Sequence, residues 1–571
     1  MGKGKKQGMP KVLADAFQVL ADAPNGITKL RELILDLAVS GKLVSQESKD
    51  EPALELLQRI EAVRHELVED KLARKSKPMP PVDEPTEFPD SWAVTRLGNL
   101  GLVNPRNTLN DGKDAGFLPM KSILAGFTGG HTYEQRQWSE VKKGFTHLAS
   151  GDVVMAKITP CFQNRKSTVV GELPSGFGAG TTELYVLRPL GNTVAPRFVL
   201  CYLKSQIFIA GGLSQMTGTA GQQRVPKSYF QEAIIGLPPL AEQKRIVEKV
   251  DALMALCDEM EAKKEARSTV HLNLTKASLS SLTEAEDAKG FDQAWKHVSE
   301  NFDTLITTPE SVSSLRQSIL DLAVRGKLVP QDPKDEPASE LLKRIEEERN
   351  RLIAEKVIKK QKKLPAIDSN LAPFKLPMGW SWARFPELGE FGRGKSKHRP
   401  RNDPKLYANG SIPLIQTGQV ARAKGQPVIT AHSFYNEVGL AQSRLWPKGT
   451  MCITIAANIA DSAILGMDAC FPDSVVGFIP SSEIPNARYY EYFVRTARSA
   501  LEKYAPSTAQ KNINLSILQA VLIPLPPLAE QQRIVERVDS LMILCDQLES
   551  NLSDSGDLAE KLASSVVSVA S

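Results

Sequence analysis

The sequence predicts an α+β protein in which two mixed α/β domains are separated by two long antiparallel helical modules of coiled-coil type, as a pseudo-two-fold internal repeat. Two duplicated segments indicate this architecture. A 25-residue segment at Leu237 returns at Leu525 with 19 identical positions, and a 32-residue segment at Leu30 returns at Leu315 with 24 identical positions. Repetition at so long a period indicates duplication of a domain-sized unit, because solenoid repeats are much shorter.

The segment at Leu237 predicts a loop that leads into a long helix. Pro239 suits a first helical turn, where a missing N–H costs nothing. Apolar residues then recur at alternating spacings of four and three, which is typical of a coiled-coil seam. An ordinary amphipathic helix is the alternative for one copy alone, but the duplication favours a pair of similar helices. The seam residues are Ile246, Val250, Leu253, Cys257 and Met260 in the first copy and Ile534, Val538, Leu541, Cys545 and Leu548 in the second.

The earlier repeat reads as helix, turn and helix in both copies. Gly41 and Gly326 are expected to end the first helix, because glycine adopts the left-handed conformation of a helix terminus at low cost. A KDEP segment then opens the second helix. The chain starts and ends inside this repeated helical region. We therefore predict one module that is continuous in sequence and one that is built from both ends of the chain.

These patterns divide the chain into five predicted regions. The mixed domains open alike, at Trp92 and Trp380, and contain short β-rich runs interrupted by glycine and proline, but otherwise resemble each other little. We interpret the glycine cluster at residues 176–180 as a turn rather than a cofactor loop, and residues 285–297 have no clear counterpart. The regions are an N-terminal helical region (1–87), a first mixed domain (88–237), a central helical region (238–375), a second mixed domain (376–525) and a C-terminal helical region (526–571).

Composition is that of a globular protein. The chain has 42% hydrophobic and 24% charged residues, and its net charge of +5 is too mild to demand a polyanionic partner. No apolar run reaches the roughly 20 residues of a membrane span, so we expect no membrane association. The six cysteines are scattered without a CxxC pair, which indicates a reducing, cytoplasmic location.

The sequence carries no recognisable catalytic motif. It lacks the GxxxxGK(S/T) phosphate loop, the HExxH zinc motif and the Asn-Pro-Pro-aromatic motif of adenine methyltransferases. We therefore predict no catalytic residue, no metal and no cofactor on this chain.

Signals for binding a polyanion are clearer. Residues 393–405 contain six cations and one acid and are interrupted by glycine and proline, so they read as a loop. Lysine and arginine suit phosphate oxygens, and arginine can also read guanine. A solvated loop without a ligand is the alternative. The candidates are Lys395, Lys397, Arg399 and Arg401, with weaker ones in the first domain at Arg106, Asn107, Lys157, Asn164, Arg165 and Lys166.

A second pair of loops aligns between the two domains, at residues 218–225 and 506–513. Glutamine, asparagine and arginine can read base edges. Their rival role is to cap the following segment and hold a turn, and both interpretations remain open. The candidates are Gln222, Gln223 and Arg224 in the first loop and Gln510, Lys511 and Asn512 in the second.

Over nearly its full length the chain resembles the specificity subunits of type I restriction-modification enzymes. The resemblance lies in the twice-used LPPLAEQ segment and the twice-used ILDLAV helix, which alternate with divergent inserts. It implies that the inserts are target recognition domains, each reading one half of a split, asymmetric sequence in double-stranded DNA. The target sequence and the length of its spacer do not follow from the resemblance.

The resemblance also implies partners and cofactors. The helical regions would dock two modification subunits, which carry S-adenosylmethionine and methylate adenine. Restriction subunits would add translocation and cleavage with ATP and Mg²⁺. Two alternatives are a self-contained restriction enzyme, which would need catalytic motifs on this chain, and a coiled-coil scaffold without a role in nucleic-acid binding.

Overall fold

The computed structural model of the chain falls into two compact units. Unit 1 comprises Met1–Ser268 and Asp554–Ser571, and unit 2 comprises Thr269–Ser553. Unit 1 contains both ends of the chain, which confirms the prediction of a module built from both ends. The five predicted regions are a finer division, and their boundaries stay a prediction. The structure describes residues 11–73, 79–82, 87–219, 221–358, 364–367, 372–423, 425–456, 459–503 and 513–570.

Unit 1 has long helices on either side of a mixed domain and short helices within it. The helix that follows the domain carries the predicted seam, and its Ile246 and Cys257 are fully buried. The helices are α1 (Lys11–Leu20), α2 (Gly26–Val39), α3 (Ala53–Glu69), α4 (Trp138–Val141), α5 (Pro196–Lys204), α6 (Gln206–Ser214), α7 (Lys227–Glu232) and α8 (Leu240–Glu284), the last of which continues into unit 2.

Helices α2 and α8 run antiparallel, as the pairs between them require. Arg31 on α2 donates to Asp258 on α8 at 2.6 Å. Asp50, which follows α2 in the chain, accepts from Arg245 near the start of α8 at 2.7 Å. As the residue number rises from 31 to 50 along the first segment, the number of its partner on α8 falls from 258 to 245. Gly41 ends α2 in the left-handed region with φ of +79°, as predicted.

The mixed domain of unit 1 contains two four-stranded sheets, in the orders β2-β9-β6-β7 and β4-β3-β8-β5. A separate pair, β1 with β10, joins the entry and exit of the domain, with Ala93 opposite Leu237. The strands are β1 (Ala93–Arg96), β2 (Gly101–Val103), β3 (Asp114–Leu118), β4 (Glu134–Gln137), β5 (Thr146–Ala149), β6 (Val153–Ala156), β7 (Ser167–Val169), β8 (Phe177–Gly180), β9 (Leu184–Pro189) and β10 (Ile234–Leu237).

Unit 2 repeats the order of unit 1, with helices before, within and after a mixed domain. Arg316 pairs with Asp546, and Asp335 with Arg533, each at 2.6 Å, so its long helices are antiparallel as well. The helices are α9 (Ala288–Glu300), α10 (Phe302–Leu305), α11 (Pro309–Val324), α12 (Ala338–Ala354), α13 (Phe385–Leu388), α14 (Thr417–Ala423), α15 (Glu437–Ala441), α16 (Arg488–Lys503), α17 (Leu515–Ala520) and α18 (Leu528–Ala570), the last of which belongs to unit 1 from Asp554 onward.

The two mixed domains share one strand topology despite their divergent sequences. The sheets of unit 2 are ordered β12-β19-β16-β17 and β14-β13-β18-β15, and β11 pairs with β20, so every strand has its counterpart ten numbers earlier. The strands are β11 (Ser381–Ala383), β12 (Gly389–Arg393), β13 (Ile412–Leu414), β14 (Ser433–Tyr435), β15 (Leu445–Trp446), β16 (Met451–Thr454), β17 (Ser462–Ile464), β18 (Ala469–Cys470), β19 (Val475–Pro480) and β20 (Ile523–Leu525).

A buried glutamate fastens the mixed domain to the helices in each unit. In unit 1, Glu242 Oε1 accepts from Trp92 Nε1 at 3.0 Å and from Gln46 Nε2 at 3.1 Å. In unit 2, Glu530 accepts from Trp380 at 2.9 Å and from Gln331 at 3.1 Å. Burial raises the pKa of both carboxyl groups. The repeated sequence segments thus preserve a repeated hydrogen-bonded contact.

The glycine cluster at residues 176–180 is a strand, not the turn that we predicted. It contains β8, which pairs with β3 on one side and with β5 on the other. A Cβ atom on Gly178 would lie 2.1 Å from the carbonyl oxygen of Gly116 on β3. The glycine is therefore needed for the close approach of two backbones.

The stretch that lacks a counterpart, residues 285–297, contributes most of α9. Asp287 caps this helix by accepting from the Gly290 N–H at 2.7 Å. Ala294 and Val298 are buried in the same core cluster as Leu279. The stretch thus packs within unit 2. Among the helices described, none has both the length and the apolar character that a membrane crossing requires.

Candidate nucleic-acid interface

Several loops leave the sheets of unit 1 at one edge. Strands β3 and β8 are parallel, with Leu118 opposite Gly180, so their carboxyl ends lie side by side. After a short turn β9 begins, and its first residue pairs with Ala156, the last residue of β6. Strand β2 is also antiparallel to β9 and so points to the same edge. We call it the loop edge of unit 1.

Unit 2 has an equivalent loop edge. Leu414 of β13 lies beside Cys470 of β18 in a parallel pair. Arg393 and Thr454, the last residues of β12 and β16, pair with the first two residues of β19. All predicted candidates within the described residues lie on loops at these two edges or on the adjacent loop after α6.

The β6 loop (residues 157–166) is joined to two neighbouring loops. Thr159 exchanges two hydrogen bonds with Gln223 on the α6 loop (residues 215–226). The Thr159 N–H donates to the Gln223 carbonyl at 2.9 Å, and the Gln223 N–H donates to the Thr159 hydroxyl at 3.1 Å. The Gly126 N–H, on the β3 loop (residues 119–133), donates to the Asn164 carbonyl at 3.0 Å. The structure therefore brings Lys157, Asn164 and Gln223 into one composite surface.

Arg224 is fixed on this surface by a carboxylate. Its Nε and Nη2 donate to Glu183, with Nη2 at 2.9 Å from Oε1. This pairing with Arg224 lowers the pKa of Glu183, which lies on the β8 turn (residues 181–183). Lys157 is half-buried, with Nζ 5.1 Å from the centre of the Tyr185 ring. Gln222 is exposed beside them.

Arg165 points inward instead of outward. It donates to Glu32 on α2 at 2.9 Å, to Gln206 at 2.6 Å and to the Lys204 carbonyl at 3.0 Å, and its side chain is only 12% exposed. The guanidinium thus anchors the β6 loop to α2. Its predicted contact with DNA stays a prediction, and among the predicted residues of this loop Asn164 is the exposed one.

Lys204 is fully buried beneath two of these loops. Its Nζ donates to the carbonyls of Gly126 and Arg165, both at 2.6 Å, and so ties the β3 loop to the β6 loop. Burial lowers its pKa to about 7. Lys166 makes a further link between these loops by donating to the Met120 carbonyl at 3.1 Å.

Arg106 and Asn107 lie on the β2 loop (residues 104–113). Arg106 is exposed, with Nη1 3.4 Å from Nε2 of His147. Asn107 is buried, and its amide donates to the Leu148 carbonyl at 2.8 Å. Asn107 therefore holds the β2 loop against β5, and its predicted base contact stays a prediction.

The basic loop of unit 2 (residues 393–405) begins at the last residue of β12 and precedes β13. Because these strands are the counterparts of β2 and β3, the basic loop is the counterpart of the β2 loop of unit 1. Arg401 donates to Asp473 at 2.6 Å, and Arg399 Nη2 lies 3.9 Å from the same carboxylate. Lys395 and Lys397 are exposed. The structure thus supports the expected analogy between this loop and the one that carries Arg106.

In the sequence, the segment that follows α16 is the counterpart of the α6 loop. Gln510, Lys511 and Asn512 lie outside the described residues. The next residue, Ile513, donates to the Ile455 carbonyl at 2.9 Å, as Val225 donates to Lys157 at 2.8 Å in unit 1. Both bonds join the end of the loop to the residue that follows the corresponding strand, β16 or β6.

Three residues that matter here were not predicted from the sequence: Glu183, Asp473 and Lys204. Each of the three lies far along the chain from its partner. For the two acids, a single carboxylate in a lysine-rich sequence usually indicates a solvated ion pair. The position of Glu183 directly before strand β9 was the one available signal. Among the described residues, no group of three or more His, Cys, Asp and Glu side chains could hold a metal ion.

Comparison with known proteins connects this architecture to a family. The family model for the type I restriction modification DNA specificity domain matches the chain twice, over residues 89–267 and 379–555, which together exceed half its length. A type I restriction enzyme EcoAI specificity subunit from Escherichia coli is 37% identical over 541 residues, covering 92% of this chain and 90% of the relative. The EcoEI specificity subunit, also from Escherichia coli, is 36% identical over 562 residues, covering 95% and 94%.

Among solved structures, one described as the structural basis underlying complex assembly and conformational transition of the type I R-M system is 19% identical. It covers 85% of this chain and 99% of its own, with a TM-score of 0.49. Membership is carried by the duplicated family match and by the two relatives matched over nearly their whole length. The chain belongs to the family of type I restriction-modification specificity subunits.

Proposed function

We propose that this chain reads DNA for a type I restriction-modification complex, with each mixed domain reading one half of a bipartite, asymmetric duplex sequence. One observation carries the proposal. The two domains share a strand topology, yet their loop edges present different side chains. A common scaffold with different loops is suited to two different half-sites, because loops on a rigid frame commonly determine recognition.

The charges at the loop edges support contact with a duplex. Lys395 and Lys397 are exposed on the basic loop, and Arg399 and Arg401 lie beside them. Exposed cations bind phosphate oxygens without regard to sequence, whereas arginine, asparagine and glutamine can also bond to base edges. We infer that Arg106, Asn164, Gln222 and Arg224 meet the other half-site in the same way.

Catalysis is proposed to lie on partner subunits. In this proposal the antiparallel helices dock two modification subunits, which bind S-adenosylmethionine and methylate adenine. Restriction subunits add ATP- and Mg²⁺-dependent translocation and cleavage, and the complex acts in the cytoplasm. Exposed apolar residues on the long helices support docking, since apolar helix faces are common surfaces for a partner helix. On unit 2, Ile543 and Leu544 are 58% and 57% exposed.

Selection from a randomised duplex library tests the proposal. The full chain, with the subunits that co-purify with it, would be incubated with the library at physiological salt, and bound duplexes would be sequenced. Enrichment of two fixed half-sites around an unread spacer is expected. Failure to enrich any sequence would favour the scaffold alternative, and methyl transfer by the chain alone would favour the self-contained enzyme.

A further inference from the structure

We infer that Glu183 and Asp473 are positioning residues, each of which orients an arginine to read a guanine in the half-site of its own domain. This inference rests on the proposed function, because guanine can be read only if the loop edges face DNA. The two acids occupy equivalent places, on the β8 turn and on the β18 turn (residues 471–474). Each pairs with an arginine from a neighbouring loop.

The Arg224–Glu183 pair leaves a usable part of the guanidinium free. Nε and Nη2 of Arg224 donate to the Glu183 carboxylate at 2.9 to 3.2 Å, and Nη1 donates to the Gln222 carbonyl at 3.0 Å. A guanidinium has five N–H groups, so among the described residues these bonds use three. One hydrogen remains on each Nη atom. The side chain is 42% exposed.

Guanine is the base that fits such a donor pair. Its O6 and N7 present two adjacent acceptors in the major groove, whereas the other bases present at least one donor or a single acceptor there. A bidentate arginine is therefore selective for guanine. The selectivity depends on orientation, because a freely rotating guanidinium can instead bind any phosphate oxygen.

The backbone on both sides of the pair is fixed. Arg224 and Thr217 exchange backbone hydrogen bonds at 2.8 and 3.0 Å. Glu183 is held by its carbonyl, which accepts from the Lys157 N–H at 3.0 Å, and by its N–H, which donates to the Thr181 hydroxyl at 3.1 Å. Glu183 thus orients Arg224, and the hydrogen bonds of its own backbone fix the position of Glu183. Precise recognition needs such a supported side chain.

Unit 2 builds a similar pair from a different loop. Arg401 on the basic loop donates to Asp473 at 2.6 Å, and its own carbonyl accepts from the Tyr407 hydroxyl at 2.6 Å. The Asp473 carbonyl also accepts from Arg393 at 2.8 Å. The equivalent turn therefore supplies the acid in both domains, although the arginine comes from the α6 loop in unit 1 and from the basic loop in unit 2.

Two other roles for these acids make different predictions. A purely structural ion pair would affect folding alone, and at these exposures its contribution to stability is small. An acid that merely masks the arginine from DNA would, when neutralised, strengthen binding without changing which base is preferred. A positioning acid, when neutralised, reduces the preference for one base at one position.

The test is library selection with Glu183→Gln, Arg224→Lys and Asp473→Asn, each compared with the unaltered chain in the same assembly. Glu183→Gln keeps the shape of the side chain but places an amide against the guanidinium. We expect discrimination for guanine at one position of one half-site to fall roughly tenfold, since a bidentate arginine contact provides discrimination of about that size or more. Arg224→Lys should affect the same position, and Asp473→Asn should affect only the other half-site.

Glu172→Gln is the matched control, because Glu172 is an exposed acid of the same domain, on the segment between β7 and β8. It should change neither affinity nor base preference. Unchanged selectivity in a folded Glu183→Gln variant, tighter binding with the same preference, or a change at a base other than guanine would each overturn the inference. Absence of any selectivity in the unaltered chain would instead contradict the proposed function. Melting temperatures of all variants identify any that fail to fold, and Asp473→Asn, which tests the equivalent acid of unit 2, keeps the test decisive if Glu183→Gln is one of them.

Discussion

Glu491 shows how a single buried group can make the stability of unit 2 depend on pH. It lies on α16 with no exposed surface. Its Oε1 accepts from the Ser462 hydroxyl at 3.3 Å, and its Oε2 is 3.6 Å from Arg488 Nη1. Burial is the largest influence and raises the pKa of this carboxyl to about 7, while Arg495 and Arg488 oppose the rise and Asp539 adds to it.

We predict that the stability of unit 2 falls as pH rises from about 4.5 to about 7. Over this range the folded protein holds a proton on Glu491 that the unfolded chain has lost, so raising the pH favours unfolding. The full decrease is on the order of 3 kcal/mol, because one pKa unit corresponds to about 1.4 kcal/mol. Glu491→Gln should flatten this dependence. The check is thermal unfolding of both proteins across the range, and equal pH slopes would contradict the assignment.

The candidate residues also show where a sequence stops being informative. Cation-rich and amide-rich loops could be identified from composition, and the structure places most of them at the loop edges. That Arg165 and Asn107 turn inward could not be foreseen, because their partners are distant in sequence. Glu32 is 133 residues from Arg165, and Leu148 is 41 residues from Asn107. The acid partners of Arg224 and Arg401 were missed for the same reason.

At the scale of elements, the long helices were the most predictable part. Apolar spacing identified the seam, and Ile246, Cys257, Ile534 and Val538 are all fully buried. The shared topology of the mixed domains could not be predicted, because their strands are short and their pairing is set by distant contacts. β8 was mistaken for a turn, since glycine is permissive both in turns and where two backbones approach closely.

The seam of α18 provides a stability prediction with a matched control on the same helix. Ile534 is fully buried in the core of unit 2, whereas Ile543 is 58% exposed. Ile534→Ala should lower the free energy of unfolding by about 2–5 kcal/mol, because it removes buried methyl groups and leaves a cavity. Ile543→Ala should change it by less than about 0.5 kcal/mol. Denaturant unfolding of both variants measures these free energies. Equal decreases in the free energy of unfolding would mean that the seam is not the packed face of the helix.

The basic loop provides a prediction about DNA affinity. Replacing Lys395, Lys397, Arg399 and Arg401 together by alanine should weaken binding and flatten its dependence on salt. The slope of log K against log salt should fall by roughly 0.9 for every phosphate that the variant no longer neutralises, because neutralising a phosphate releases counterions. Titration of a labelled duplex at several salt concentrations measures the slope.

Four exposed lysines on helices α8 and α9 are a control of equal charge. They are Lys263, Lys276, Lys289 and Lys296. Their replacement by alanine should leave the slope unchanged. If the two sets of variants gave the same slope, the basic loop would have no special role in DNA binding.

At the scale of the whole molecule, the antiparallel helices are repeated with similar sequences, whereas the mixed domains that they carry differ in sequence. Each unit fastens a mixed domain to antiparallel helices through a tryptophan and a buried glutamate, Trp92 with Glu242 and Trp380 with Glu530. In each domain the entry and exit strands pair directly. A domain whose ends lie side by side can be replaced while its frame is kept, which is the structural condition for independent half-site recognition.

Exchange of the first domain tests this modularity most directly. Residues 88–237 would be replaced by the corresponding domain of another family member, in one version that also keeps Arg165 and Gln206 so that Glu32 on α2 retains its guanidinium partner and Arg165 retains its amide acceptor. Methylated adenines would then be mapped in DNA exposed to each assembled complex. We predict that one half of the methylated sequence changes and the other half remains. A simultaneous change in both halves would contradict the assignment of one half-site to each domain.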